Sequence, residues 1–120
     1  SKAGSVAHFE AELMADNILS FINGKPIIQE FDGHSNCFIE TGHGKALLID
    51  FNYTHEPVEG SFPLGTMGPL KLLKETRMNH MGKLAFRWVY WNMLLKGTPI
   101  PFVPATMSQA GKHLETIKHD

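Results

Sequence analysis

Residues 36–53 constrain this chain most. Cys37, Ile39 and Thr41 alternate with Phe38 and Glu40, Gly42-His43-Gly44 follows, and the run Lys45 to Tyr53 alternates again. A two-residue period on both sides of glycines that accept positive φ specifies a hairpin. On its second strand Leu47, Ile49 and Phe51 share one side, and Leu48, Asp50 and Asn52 the other. Before the hairpin, Val6, Phe9, Leu13 and an apolar cluster through Ile22 predict a helix over 5–22, with Ser5 as its N-cap. Asn23-Gly24 and Pro26 stop that helix. Residues 27–31 read as a short strand and Asp32-Gly33 as a turn. Residues 54–69, with three prolines and three glycines, read as a long loop, functional or draped over a partner. Pro69 suits a first helical position, so 69–79 and 80–96 read as helices with a break near Gly82. Gly97, Pro99, Pro101 and Pro104 impose an extended run, and 105–117 reads as a last short helix. The expected fold is α+β in a single domain over 1–120: a small antiparallel sheet, a long N-terminal helix and C-terminal amphipathic helices.

Composition narrows the function. The chain has 120 residues, 42% hydrophobic and 19% charged, enough for one modest core. One cysteine excludes an internal disulfide and a multi-cysteine metal cage within the chain. No apolar run is long enough to span a bilayer, and no secretory cleavage pattern appears near the start. No glycine-rich dinucleotide fingerprint, P-loop, zincin motif or nucleophile elbow is present, so a complete small enzyme is not expected. The seven histidines lack metal-site spacing, and no metal is expected. Glu40 and Asp50 read as solvated or paired carboxylates.

The net charge of −1 hides an asymmetry. Residues 1–60 are acidic, whereas 61–104 hold Lys71, Lys74, Arg77, Lys83, Arg87 and Lys96 against Glu75 alone. The same stretch holds Phe86, Trp88, Tyr90 and Trp91. Basic residues interleaved with large aromatics suit an anionic, apolar surface. The stripe Leu84, Trp88, Trp91 and Leu95 reads equally as a core face. Aromatics on a helix, without nucleotide-binding motifs, argue against nucleic acid.

Two sets of residues carry a family resemblance. Lys2-Ala3-Gly4-Ser5-Val6-Ala7-His8-Phe9-Glu10-Ala11-Glu12 resembles the helix that leads into the C-terminal domain of two-dinucleotide-domain flavoproteins. Asn36 to Gly42, Gly44 to Tyr53, Gly68 to Glu75 and Phe86 to Asn92 resemble sulfide:quinone oxidoreductases of the pyridine nucleotide-disulfide oxidoreductase superfamily. The resemblance implies the C-terminal domain of a longer FAD protein, the N-terminal FAD-binding domains lying outside this chain. It implies that Lys2, Ala3, Gly4 and Ser5 approach the pyrimidine end of the flavin, where helix-start amides favour negative charge. It implies that Cys37 is the catalytic cysteine, pairing with a cysteine of the N-terminal part that sulfide then attacks. It implies that Phe86, Trp88, Tyr90, Trp91, Lys83 and Arg87 face quinone and membrane. The expected setting is peripheral, on a bacterial inner membrane, with homo-oligomerisation left open. The fragment alone is expected to bind no FAD tightly and to be inactive. A type-two NADH:quinone dehydrogenase domain, which needs no Cys37, and a non-catalytic membrane-surface or interaction module are the alternatives.

Overall fold

The hairpin forms as its alternation predicts and nucleates a larger sheet. In the computed structural model, which describes residues 3–27 and 30–114, β1 (Ser35–Gly42) pairs antiparallel with β2 (Lys45–Phe51). Gly42, His43 and Gly44 all take positive φ, so the glycines on either side of His43 permit the tight reversal. The register sets Cys37 opposite Ile49 and Asn36 opposite Asp50. Ala46, Leu48 and Asp50 form the buried face of β2, while Leu47, Ile49 and Phe51 are half-buried.

The sheet has five strands in the order β1-β2-β4-β3-β5, with β3 at Glu59–Phe62, β4 at Leu70–Leu72 and β5 at Lys112–His113. It is mixed, not purely antiparallel: β4 runs parallel to β2, with Leu48 opposite Leu72. Residues 54–69 are therefore not a free loop. They supply β3 and a 3₁₀ turn at Gly65–Met67. The core lies where Leu48, Val58, Leu72 and Met107 meet, flanked by Phe38, Phe62 and Leu70. Gly60 and Gly111 let β3 and β5 approach: a Cβ on Gly60 would lie 2.3 Å from the Gly111 carbonyl oxygen.

The helix expected over 69–79 is replaced by β4 and a turn. Leu73 N–H donates to the Leu48 carbonyl, so backbone pairing with β2 outcompetes the local signal of Pro69. The second helix, α2 (Arg77–Asn92), starts only where Thr76 caps it, its hydroxyl accepting from Asn79 N–H at 2.9 Å. It runs unbroken through Gly82, where a Cβ would sit 3.0 Å from Leu70 and 3.4 Å from Phe38. Gly82 is thus a packing glycine. No helix forms over the described part of 105–117; Lys112–His113 pairs with β3 instead. In the expected 27–31 strand, Ile28 and Gln29 lie outside the described residues, and Ile27, Glu30 and Phe31 form no strand.

The first helix, α1 (Gly4–Ile22), buries Val6, Phe9 and Leu13 and ends at Asn23-Gly24 as expected. It begins one residue before the predicted start. Ser5 is inside the first turn and is not the N-cap; its hydroxyl accepts from Asn36 N–H at 3.3 Å and so ties α1 to β1.

Asn79 joins α2 to the sheet. Fully buried, it accepts from Lys71 N–H and donates to the carbonyls of Lys71 and Lys74 at 2.8 and 2.9 Å. Asn79→Ala strands these backbone groups, each at about 1–3 kcal/mol. A loss of at least about 2 kcal/mol in a denaturant titration is expected; an unchanged midpoint would show that water replaces the amide.

Candidate functional site

Two features stand out: an apolar cavity that contains Cys37, and beside it a buried ionic cluster. The cavity has a volume of about 710 Å³. Its walls come from the start of α1 (Gly4, Ser5, Phe9), from β1 (Asn36, Cys37, Phe38), from α2 (Phe86, Val89, Tyr90) and from the proline-rich segment after it (Ile100, Val103). The cysteine sulfur lies 3.9 Å from the Ser5 hydroxyl and 3.8 Å from that of Ser35. Asn36 Nδ2 is buried without a hydrogen-bond partner among the described residues. The site is an oily slot with a thiol, hydroxyls and one unspent amide donor on one side, which suits a flat apolar molecule with polar edges.

The sequence-predicted residues divide between this cavity and the outside. Gly4, Ser5, Cys37, Lys83, Phe86 and Tyr90 line it together. Ala3 is the extended residue before α1, and Lys2 lies outside the described residues. Open space fronts Gly4, with nothing within 4 Å of where a Cβ would stand. Lys83 is half-exposed and paired with Glu40 at 3.2 Å, and His80 holds the same carboxylate at 3.0 Å. Trp88, Trp91 and Arg87 do not line the cavity. They are exposed, Trp88 at 63% and Trp91 at 58%. Met81, Leu84 and Leu95 are exposed with them, so this stripe is an uncovered face and not a core face.

The ionic cluster was not legible as a site. His34 and Asp50 are buried at 1% and 0% exposure and joined at 2.7 Å from Nε2 to Oδ1. Lys112 Nζ contacts the other carboxylate oxygen. Burial by itself pushes the Asp50 carboxyl up, but the hydrogen bonds and charges of His34 and Lys112 outweigh it and hold the group below the ordinary range. Asp32 organises the neighbouring loop, accepting from His34 N–H, from the Asn52 amide and from Met107 N–H. Phe9 stacks on His34 with centroids 4.4 Å apart and planes at 2°. Among the described residues no group of three or more His, Cys, Asp or Glu side chains is arranged to hold a metal.

Comparison with known proteins gives the cavity a context. The chain is 32% identical over 96 residues to the mitochondrial sulfide:quinone oxidoreductase of Schizosaccharomyces pombe, which takes in 80% of the chain and 21% of the relative. It is 25% identical over 97 residues to the mouse protein of that name, covering 81% and 20%. It is 29% identical over 98 residues to the Dictyostelium discoideum one, again covering 81% and 20%. The chain thus spans about a fifth of the length of the curated relatives it matches. No family model and no solved structure matches it. The similarity is consistent with a C-terminal domain of a sulfide:quinone oxidoreductase-like protein. All three relatives are mitochondrial by name, which lends nothing to the expected bacterial inner membrane. Among the described residues no helix is long and apolar enough to cross a membrane.

Because folding lowers the Asp50 carboxyl, its stabilisation is complete above the ordinary aspartate value of 3.8 and is lost as pH falls below that through the folded value. Denaturant midpoints should therefore drop steeply below about pH 4. Asp50→Asn should flatten that limb and cost about 3–5 kcal/mol at neutral pH, because it leaves the buried Lys112 ammonium without its anion.

Proposed function

We propose that this chain is the C-terminal domain of a longer FAD-dependent enzyme that oxidises sulfide and reduces membrane quinone. The observation that carries the reading is the sharing of one apolar cavity by Cys37, the start of α1 and the aromatics of α2. The similarity to sulfide:quinone oxidoreductases supports it.

The residues present fit a flavin edge. Gly4 opens onto free space at the start of α1, and the N-terminal end of a helix dipole favours negative charge there. Ala3, Gly4 and Ser5 would hold the pyrimidine end of FAD, and the same role is proposed for Lys2. The bound flavin supplies the two-electron acceptor that links sulfur oxidation to quinone. Cys37 handles the sulfur, and its nucleophile is the thiolate. The hydroxyls of Ser5 and Ser35 beside it are positioned to hydrogen-bond that anion. Its redox partner is a cysteine of the upstream part. Phe86 and Tyr90 flank the quinone, and the apolar slot excludes bulk water from it.

The outward face of α2 is the membrane side of the reading. Trp88 and Trp91, with Arg87 beside them, suit the interface of an anionic bilayer, where each basic residue adds about 1 kcal/mol. The exposed apolar side of α1, with Met14, Ile18 and Phe21, is the face for the upstream flavin-binding domains.

Sulfide-dependent quinone reduction by the full-length protein tests the chemistry. Cys37→Ser should lower it by about a hundredfold or more, as loss of a covalent catalyst does. Unchanged activity would make Cys37 structural, and activity with NADH in place of sulfide would overturn the donor. For the membrane, Trp88→Ala with Trp91→Ala should weaken partition to anionic vesicles by about tenfold or more, since each ring buries roughly 150–250 Å². Unaltered sedimentation with vesicles would remove α2 from the docking surface.

A further inference from the structure

We propose that His34 is a positioning residue held as an imidazolium, and that its second proton latches the strap of residues 98–104 against the Cys37 cavity. The inference concerns access to Cys37 and stands whether or not the cavity takes quinone.

The hydrogen-bond geometry requires two ring protons. His34 Nδ1 faces the Pro104 carbonyl at 3.1 Å, and a carbonyl oxygen only accepts. His34 Nε2 faces Asp50 Oδ1 at 2.7 Å, and that carboxylate, already in contact with Lys112, also only accepts. Both nitrogens must therefore donate. The other charged groups around the ring agree with this. Asp32 lies on the adjoining loop and accepts from the His34 backbone. On α1, His8 stands beside Phe9 and is paired with Glu12 at 3.1 Å. Asp50 comes from β2 and Lys112 from β5. The strap itself presents a carbonyl and no titratable side chain.

The ring holds two walls of the cavity. One is Phe9, stacked flat on it. The other is the strap, whose Ile100, Pro101 and Val103 line the same space. Among the described residues, the Pro104 carbonyl makes the hydrogen bond that ties the strap to the rest of the fold between Thr98, which donates to Met93, and Met107, which donates to Asp32. When the ring loses its second proton, the stronger acceptor, the Asp50 carboxylate, keeps the remaining N–H. Nδ1 is then an acceptor facing an acceptor, and the strap is released. The strap lies against the cavity while the ring keeps both protons and comes away once the second has left.

The test uses the 120-residue chain, in which Cys37 is the one thiol. Ring ¹⁵N spectra of the wild type report the protonation of both His34 nitrogens across pH. In parallel, Cys37 is labelled with N-ethylmaleimide and with the bulkier N-(1-pyrenyl)maleimide. The ratio of the two rates cancels the thiolate fraction and reads the width of the entrance. Both ring nitrogens are expected to be protonated at neutral pH. The pyrenyl-to-ethyl ratio is expected to rise about fivefold, the weight of one hydrogen bond, as the second proton leaves. His34→Gln should give the raised ratio at every pH. A neutral ring in the wild type at neutral pH would overturn the proposal, as would a flat ratio through the observed titration. Both decisive results come from the wild type, so they hold even where His34→Gln fails to fold. Neither involves sulfide or quinone, so their failure leaves the proposed activity standing.

Discussion

The carboxylate of Asp50 is the point from which the rest of the structure hangs. It sits on the buried face of β2 between Leu48 and the end of the strand, where an unpaired charge would be prohibitive. Two donors satisfy it, and each comes from a distant stretch of chain. His34 brings the segment before β1, and Lys112 brings β5 at the far edge of the sheet. A purely apolar residue at position 50 would fill the space but would not select these two partners. The ionic cluster fixes which edges meet, and the apolar cluster of Leu48, Val58, Leu72 and Met107 supplies the burial.

The cavity follows from that arrangement. With His34 held by Asp50, Phe9 has a flat partner, and α1 is seated with its first turn over β1. Ser5 then reaches Asn36 and Cys37 in place of capping its own helix. Gly82 brings α2 against Leu70 and Phe38 and closes the other side. The thiol is thus flanked by hydroxyls from two elements, in a pocket otherwise lined with apolar side chains.

What the sequence disclosed follows the range of the forces. The hairpin, its glycine turn and the end of α1 are local, and they read correctly from 36–53 and from Asn23-Gly24. Residues 59–76 do not. Their strands are interior pieces of three and four residues, paired with each other and with β2 and β5, and too short to show a period. Pro69 carried a helix signal, but tertiary pairing of Leu73 with Leu48 overrode it. Of the site, Cys37, Ser5, Phe86 and Tyr90 were legible through resemblance and do share one cavity. His34 was not, because a lone histidine gives no sign that an aspartate sixteen residues later will meet it.

The second helix explains why one stripe of residues supported two incompatible readings. At about 100° per residue, Gly82, Phe86, Val89 and Tyr90 cluster on one side of α2, while Met81, Leu84, Trp88 and Trp91 fall roughly opposite. The first set lines the cavity, and the second is exposed. A helix that is apolar on two faces shows no single buried stripe, so the search for one picks the larger residues, and here those are the wrong ones for the core. The helix is a partition about 10 Å thick, with the cavity behind it and whatever covers Trp88 and Trp91 in front. Anything that moves between the two must go around its ends. At its C-terminal end, beyond Gly97, the chain runs on to Pro104, whose carbonyl faces His34 Nδ1, so the segment that leaves this helix is tied to the ionic cluster.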